Sequence, residues 1–287
     1  MTTKRLDPPW PVLYIGPARR MDPKLARLHT IFGDMGSTLV TFSGGIDSSL
    51  VLRVARDVLG TRAVALTAVS PSLPESERAA AEGLAREIGA EHLLVQSDEI
   101  HDPRYAANPS NRCFYCKTEL YRIAEGIRAH RGLSTIVNGT NVDDLGDFRP
   151  GLDAAREAAV RSPLVEAEIG KEDVRRLARI IGLPNWDKPA AACLSSRIPY
   201  GTEVTVERLT KVGRLEEALR GLGFRQVRVR FHGDVARIEL DKAEMARALE
   251  PGTRDAIVAA GRAAGFAYVA LDLEGYRQGS HNEVLKS

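Results

Sequence analysis

Apolar positions follow two different periods along the first two hundred residues. Short β-branched and apolar runs predict buried strands, and apolar residues at three- and four-residue spacing between them predict amphipathic helices. Strands that alternate with helices favour a doubly wound parallel α/β sheet, in which ligands bind beyond the carboxyl ends of the strands. The predicted strands are 39–42, 62–68, 92–96 and 135–138, and the predicted helices are 23–32, 48–59, 75–88, 117–128 and 171–181.

The pattern changes after residue 200. A helix over 206–222 is followed by two strands, 226–232 and 235–240, whose connection is typical of a hairpin, and then by two helices and a last strand over 267–272. We therefore expect a smaller C-terminal α+β domain over 201–287 and the main domain over 21–200. Residues 1–20 contain four prolines and no periodic pattern, which predicts a poorly ordered arm.

Composition excludes several classes of protein. Of the 287 residues, 44% are hydrophobic and 27% charged, which is ordinary for a globular protein with a core. A net charge of +2 favours neither a nucleic-acid partner nor a membrane surface. The sequence shows no transmembrane run and no signal-peptide pattern, and three cysteines in such a chain favour metal or reactive thiols over disulfides. We expect a cytoplasmic protein.

A glycine-containing loop follows the first predicted strand and reads Ser-Gly-Gly-Ile-Asp-Ser at 43–48. Glycines allow main-chain N–H groups to face a ligand, and the next helix directs its positive dipole end into the loop, so the segment predicts an anion site. A Walker A loop is excluded because no lysine lies between Lys24 and Lys117, and the spaced glycines of a dinucleotide fingerprint are absent. The alternative is an ordinary strand–glycine–helix turn. The candidate nucleotide-binding residues here and at the neighbouring strand ends are Ser43, Gly44, Gly45, Asp47, Ser48, Thr67, Gly139 and Thr140.

The three cysteines form a second candidate site. Cys113 and Cys116 have the Cys-x-x-Cys spacing of a metal, cluster or redox pair, and Cys193 precedes Ser-Ser-Arg within a segment bounded by proline and glycine. Three thiolates suit a four-iron cluster with one open iron, and Arg197 near Cys193 would favour a thiolate. The alternatives are two chance cysteines at a helix start and a simply buried third cysteine.

Two further groups carry charge at informative positions. Asp144 follows the fourth strand and, with Asp47, is a candidate Mg²⁺ contact, although a capped turn explains the same residues. Arg228 and Arg230 alternate with valines and therefore share one strand face. Paired guanidiniums suit a phosphate or carboxylate, and a solvated strand face is the competing interpretation.

The loop at 43–48 resembles the pyrophosphate loop of the N-type ATP pyrophosphatases, the PP-loop superfamily. The motif order, from Ser-Gly-Gly-x-Asp-Ser through Arg-Cys-x-x-Cys-Lys, Gly-Thr-Asn-x-Asp-Asp, Asp-x-Arg-Pro-Gly, Ser-Pro-Leu and Ala-Cys-Leu-Ser-Ser-Arg to Val-Arg-Val-Arg, is similar to that of the LarE family of ATP-dependent sulfur transferases. The resemblance covers about residues 25–280. It implies an adenine nucleotide alpha hydrolase-like fold, ATP and Mg²⁺ as cofactors, and a homo-oligomer.

The resemblance also implies a reaction. A carboxylate of a pyridinium bis-carboxylic acid mononucleotide is adenylated and converted to a thiocarboxylate during synthesis of the nickel-pincer cofactor of lactate racemase. Cys193 matches the sulfur-handling cysteine, and Arg228 and Arg230 match arginines that hold the substrate phosphate. Single-cysteine members give up their own sulfur, whereas three-cysteine members resemble cluster-dependent enzymes. Cys113, Cys116 and Cys193 therefore favour a 4Fe-4S cluster.

Two other functions stay open from the sequence. One is a tRNA thiolase or another adenylating synthetase of the same superfamily. The other is an ATP-binding redox or metal sensor, which would form no pyrophosphate.

Overall fold

A parallel sheet in the order β3-β2-β1-β4 forms the centre of the first two hundred residues. The computed structural model describes residues 21–146, 150–189, 192–277 and 280. The predicted arm at 1–20 lies outside these residues, as do Asp147, Phe148 and Arg149 of one motif. The strands are β1 (Thr38–Thr41), β2 (Ala63–Val69), β3 (Glu91–Gln96) and β4 (Thr135–Val137).

All three pairings in this sheet are parallel, so the predicted fold class is confirmed. Strand β1 lies in the middle and every one of its residues is buried, as expected for a strand covered by helices on both faces. The helices around the sheet are α1 (Pro23–Gly33), α2 (Ile46–Leu59), α3 (Glu75–Ile88), α4 (Pro103–Ala106), α5 (Arg112–Arg131), α6 (Gly151–Glu157), α7 (Pro163–Glu166) and α8 (Lys171–Ile180).

Helix α5 differs most from its predicted bounds, because it begins at Arg112 instead of near Lys117. Its first turn buries the side chain of Arg112, and a buried cation is not part of a hydrophobic period. The Cys-x-x-Cys motif therefore lies on the first turns of a helix.

The C-terminal part forms a second, three-stranded sheet in the order β5-β6-β7, which confirms the smaller α+β unit. The predicted hairpin is present, since β5 and β6 pair antiparallel, and β7 adds to β6 in parallel. Its elements are α9 (Val206–Gly221), β5 (Val227–His232), β6 (Val235–Leu240), α10 (Met245–Ala248), α11 (Pro251–Ala263) and β7 (Tyr268–Leu271).

The core of this second unit extends back across residue 200. Tyr105, Leu194 and Ile198 are buried together with Leu209, Val229 and the rest of the C-terminal core. The two halves therefore share a hydrophobic cluster where α4 and the segment after Cys193 meet the second sheet. The domain boundary at 200 stays a prediction. No helix among the described residues has the length and apolar character needed to span a membrane.

Candidate active site

The loop at 43–48 lies at the carboxyl end of β1 and leads directly into α2. Hydroxyl groups fix its shape: the Ser43 and Ser48 oxygens lie 3.1 Å apart, and the Ser43 N–H donates to the Ser48 hydroxyl at 3.3 Å. The hydroxyls of Ser48 and Ser49 both donate to the carbonyl of Gly45, at 3.1 and 2.7 Å. Helix α2 thus presents its N-terminal N–H groups at a preformed concave loop, as an anion site requires.

Glycines at two positions allow close backbone approach. Gly44 has φ +70°, and a Cβ there would lie 3.0 Å from the Cβ of Ala81 on α3. A Cβ on Gly139, after β4, would lie 2.7 Å from the backbone nitrogen of Ser48. Since that distance is shorter than real Cβ contacts, only glycine lets the end of β4 touch the start of α2. Gly139 therefore helps to build the loop that holds the predicted anion.

The carboxylates Asp47 and Asp144 lie close enough to interact. Asn141 donates to Asp47 at 2.8 Å through its side chain and to Asp144 at 3.2 Å through its backbone N–H. Burial, and then the neighbouring charge of Asp144, raise the pKa of Asp47. Lys171 lies 3.4 Å from Asp144. The side-chain oxygen of Asn141 is buried without a hydrogen-bond partner among the described residues.

Two of the predicted nucleotide-binding residues are held by bonds within the protein. The hydroxyl of Thr67, on β2, donates to the carbonyl of Phe42 at 2.6 Å and lies 2.8 Å from Nε2 of His92. The backbone N–H of Thr140 donates to the Asn138 side chain at 3.0 Å. Both residues lie at the carboxyl edge of the sheet, where the prediction places them.

Asn185 and Lys188, which the sequence does not mark as nucleotide-binding residues, contact the loop on the side of α3. Asn185 donates to the carbonyl of Gly44 at 3.2 Å and to the Ser49 hydroxyl at 3.0 Å. The ammonium of Lys188 lies 3.4 Å from the same carbonyl and 2.7 Å from the carboxylate of Glu77. The loop that lacks a nearby lysine in sequence thus has one in space.

Cys113 and Cys116 lie one turn apart on α5. Cys113 keeps exposed surface as a residue, although neighbouring protein surrounds most of its thiol, and Cys116 is half-buried against the second core. Burial raises the pKa of Cys116 to about 12. Burial and the nearby Cys193 raise the pKa of Cys113, against the opposing charges of Arg112 and Lys117. The three cysteines therefore lie within electrostatic reach of one another.

Cys193 is exposed and begins a short 3₁₀ turn over Leu194–Arg197. The N–H of Leu194 donates to the carbonyl of Ser72 at 2.8 Å, which fixes the turn to the loop after β2. Arg197, only 2% exposed, donates to the carbonyl of Cys193 at 2.9 Å and to the carboxylate of Glu216 at 2.8 Å. Glu216 compensates the charge of Arg197, so these contacts give Arg197 a positioning role on the Cys193 backbone.

A buried clamp joins the Cys193 turn to the start of α5. Asn108 has φ +54° and is fully buried, and its amide donates to the carbonyls of Ile198, Pro199 and Thr202 at 3.2, 2.7 and 2.9 Å. Arg112 binds the Asn108 side chain and donates to the carbonyl of Ser195 at 2.9 Å. The clamp joins the backbone just before Cys113 to the backbone just after Cys193.

Arg228 and Arg230 share one face of β5, and each is 7% exposed, so the solvated-face interpretation is wrong. Arg230 donates to both carboxylate oxygens of Glu239, at 2.9 and 2.8 Å, and to the carbonyl of Ser196 at 2.9 Å. Burial, and then the charge of Arg197, lower the pKa of Arg228. Arg197, Arg228 and Arg230 therefore lie near one another, with Glu216 as an opposing charge, next to the turn that carries Cys193.

Among the described residues, no group of three His, Cys, Asp or Glu side chains is arranged to hold a single metal ion. The three thiols are thus not gathered into a mononuclear site.

Comparison with known proteins agrees with this geometry. The asparagine synthase family model matches residues 36–110, which contain the loop at 43–48. The chain is 41% identical over 263 residues to pyridinium-3,5-bisthiocarboxylic acid mononucleotide synthase of Lactiplantibacillus plantarum, covering 91% of this chain and 95% of that protein. It is 48% identical over 265 residues to an uncharacterised protein of Synechocystis sp., covering 92% and 99% of the two chains.

The parallel sheet and its loop define an ATP-using enzyme of the N-type ATP pyrophosphatase class. The extent of the match to the Lactiplantibacillus enzyme identifies the branch of that class. The chain belongs to the LarE family and is an ATP-dependent sulfur transferase.

Proposed function

We propose that this enzyme adenylates a carboxylate of a pyridinium bis-carboxylic acid mononucleotide and converts it to a thiocarboxylate for the nickel-pincer cofactor. The observation that carries the proposal is the 2.8 Å bond from Leu194 to Ser72, which fixes the Cys193 turn to the same sheet edge as the phosphate loop. Activation and sulfur transfer then take place at one edge of one sheet. The Lactiplantibacillus enzyme bears the matching product in its name.

Adenylation is needed because a carboxylate is a poor electrophile. Its oxygen attacks the α-phosphorus of ATP, and pyrophosphate leaves toward the loop formed by Ser43, Gly44, Gly45 and Ser48. Preformed N–H donors at such a loop stabilise the charge that develops on the leaving group. Sulfur then attacks the acyl carbon, and AMP departs with the former carboxylate oxygen.

Arg228, Arg230 and the arginines near them are candidates to bind the substrate phosphate. Glu216 and Glu239 each bind two arginines, so the group carries more positive than negative charge. Buried guanidiniums beside such an excess suit a phosphate, which Arg binds through paired donors. The mononucleotide would then place its ring carboxylate toward Cys193.

Mg²⁺ fits the oxygen atoms beside the loop. Asp47 and Asp144 supply carboxylates, and the buried Asn141 oxygen lacks a partner among the described residues. Mg²⁺ is usually held by one or two carboxylates together with substrate phosphates. The ion would neutralise the phosphate charge and lower the raised pKa of Asp47.

The thiols also fit the chemistry of an iron–sulfur cluster. Free Cys113 and Cys116 have raised pKa values and would stay protonated near neutral pH, which disfavours a redox sensor because the thiolate is the reactive form. A bound metal deprotonates its cysteine ligands. A cluster also spans a larger distance than a single ion. When bound, it would supply a sulfide at an open iron.

Replacing Cys193 tests the function directly. Cys193→Ser should still form pyrophosphate from ATP and the carboxylate substrate. Its rate of thiocarboxylate formation should fall at least about a hundredfold, because the thiol takes part only in sulfur transfer. Pyrophosphate release and product mass are the measurements.

Loss of pyrophosphate release in the same variant would place the cysteine in adenylation or folding instead. Iron and sulfide analysis of anaerobically purified protein tests the cluster independently. Iron-free protein in which Cys193 becomes dehydroalanine after one turnover would contradict it.

A further inference from the structure

Lys188 is a cationic side chain on the backbone of the phosphate loop. Its ammonium lies 3.4 Å from the carbonyl of Gly44 and 2.7 Å from Glu77, on the first turn of α3. The side chains of Lys188 and Glu77 are 22% and 21% exposed. Lys188 thus lies at the border between the loop and solvent, beside the place where the anion is expected.

Asn185 already donates hydrogen bonds to the part of the loop that Lys188 contacts. Its amide binds the same Gly44 carbonyl at 3.2 Å and the Ser49 hydroxyl at 3.0 Å. The longer 3.4 Å contact from Lys188 adds little to this arrangement, since hydrogen bonds weaken at such distances. The lysine can therefore leave Gly44 without releasing the loop.

We propose that Lys188 is a triphosphate-binding residue that exchanges Glu77 for phosphate oxygens when ATP binds. Its flexible four-carbon stem allows the ammonium to turn about a nearly fixed backbone position. The β- and γ-phosphates carry more charge than the carboxylate of Glu77, and charge-assisted bonds to phosphate are stronger than a partly exposed ion pair to a single carboxylate. Glu77 is then a counter-ion that holds the lysine in the empty site and competes with the nucleotide for it.

This role for Lys188 rests on the proposed function, because it requires that the enzyme binds ATP. Lys188 itself lies outside the loop motif at 43–48. The lysine does for this loop what the lysine of a Walker A motif does from within its own loop. In this role Lys188 binds the part of ATP that becomes pyrophosphate, so replacing Lys188 should leave AMP binding unchanged.

Equilibrium binding without turnover tests the assignment. The probes are α,β-methylene-ATP, whose α–β bridge is not cleaved, inorganic pyrophosphate and AMP, each measured by titration calorimetry with Mg²⁺. Lys188→Gln should weaken the methylene analogue and pyrophosphate by about ten- to a hundredfold, as expected for a lost charge-assisted bond, and change AMP binding by less than about twofold. Lys188→Arg, which keeps the charge, should recover most of the loss.

A second variant moves affinity in the opposite direction. Glu77→Gln removes the competitor for the lysine, so the methylene analogue should bind about two- to fivefold more tightly, the range of a partly exposed ion pair. Misfolding does not produce a gain of this kind. Lys211→Gln is the matched control, because Lys211 is also in an ion pair, at 2.9 Å from Glu207, away from the loop.

Equal weakening of AMP and the analogue by Lys188→Gln would show that the lysine only braces the loop, and unchanged binding of both would remove it from the site. Either result overturns the inference. Pyrophosphate formation by the wild-type enzyme with ATP and the acid substrate is a separate measurement, so failure of the proposed function is distinguishable from failure of this contact.

Discussion

Asp47 is half-buried beside a second carboxylate, that of Asp144. Its folded-state pKa is raised above the ordinary value of 3.8, chiefly by burial and then by Asp144. A carboxyl whose pKa is raised by folding costs stability once the pH exceeds its unfolded value, because ionisation is easier in the unfolded chain. At neutral pH the folded enzyme therefore carries this cost.

Asp47→Asn should stabilise the nucleotide-free enzyme by about 1 kcal/mol at neutral pH, since it removes the buried charge and keeps an acceptor for Asn141. The gain should vanish below the unfolded pKa, where Asp47 is protonated in both states. The same variant should bind MgATP more weakly. Urea unfolding at several pH values and nucleotide titration are the measurements, and a loss of stability at neutral pH would contradict the electrostatic account.

Gly139 provides a steric test at a single atom. Gly139→Ala should abolish most pyrophosphate formation, because its Cβ would lie 2.7 Å from the Ser48 nitrogen and must displace the start of α2. The control is Gly83→Ala, an exposed position on α3 with nothing within 4 Å of the added carbon. That change should raise stability by up to about 1 kcal/mol. Equal activity of Gly139→Ala and Gly83→Ala would show that the loop does not require a glycine at position 139.

The sequence predicts residues whose chemistry is local and misses those whose partners are distant. The loop residues Ser43 to Ser48 could be predicted because strand, glycines and helix follow one another in the chain. Lys188 contacts Gly44 across 144 positions, and Glu216 contacts Arg197 across 19. A charge run or an isolated Lys gives no periodic signal, so only the folded arrangement assigns these partners.

At the level of elements, the start of α5 and the Cys193 turn are held as one unit by Asn108. This asparagine takes a left-handed backbone conformation, φ +54°, that costs most side chains energy, and its amide nitrogen shares its two hydrogens among three carbonyl oxygens. Helices and strands were predicted well because their periods are regular, whereas this clamp lies in irregular backbone. The start of α5 was misplaced for the same reason, because its first turn packs through the polar side chain of Arg112.

Variants at Asn108 separate its backbone role from its side-chain role. Asn108→Ala should lower the free energy of unfolding by about 3 kcal/mol, through unsatisfied carbonyls and left-handed strain. Asn108→Gly should cost about 1 kcal/mol less, because glycine adopts φ > 0 freely but lacks the amide. Denaturant unfolding gives both values. If the two variants are equally stable, the backbone conformation contributes nothing measurable.

At the level of the whole molecule, a buried ion pair connects the two halves. Glu216 on α9 has no exposed side-chain surface and binds Arg197, the last residue of the turn that Cys193 begins. Burial alone would raise the pKa of Glu216, but Arg197, with Arg220 and the Val229 N–H, holds it below the ordinary 4.5. The stability from this pair is therefore present above pH 4.5 and is lost as the pH falls through the lowered pKa.

Glu216→Gln should cost about 3 kcal/mol at neutral pH, because Arg197 stays buried without its counter-charge, and should flatten the loss of stability in acid. Unfolding free energies between pH 3 and 7 test both. Glu207→Gln, at an exposed pair with Lys211, is the control and should leave the profile unchanged. If the unfolding free energies of Glu216→Gln and the wild type fall in parallel with pH, this ion pair is not the source of the stability lost in acid.

The two-part architecture was predicted from the change of pattern at residue 200, and the sheets follow it. The shared core was not predicted, because Tyr105 lies far from residue 200 in sequence and only folding brings it into the cluster that contains Leu209. Homo-oligomeric assembly, which the family resemblance implies, stays a prediction that light scattering of the purified enzyme would check.

Asn185 and Leu194, at the two ends of one short segment, contact the two parts of the candidate active site. Asn185 binds the phosphate loop, and Leu194 is fixed at Ser72, directly after the sulfur-bearing cysteine. The five Cα–Cα steps from Lys188 to Cys193 span at most about 18 Å even when fully extended. If sulfur transfer takes place at Cys193 as proposed, the adenylated intermediate would travel no further than this distance between the two steps. A short path between formation and use shortens the time in which water can hydrolyse the anhydride, so on the proposed mechanism little ATP would be lost to unproductive cycles.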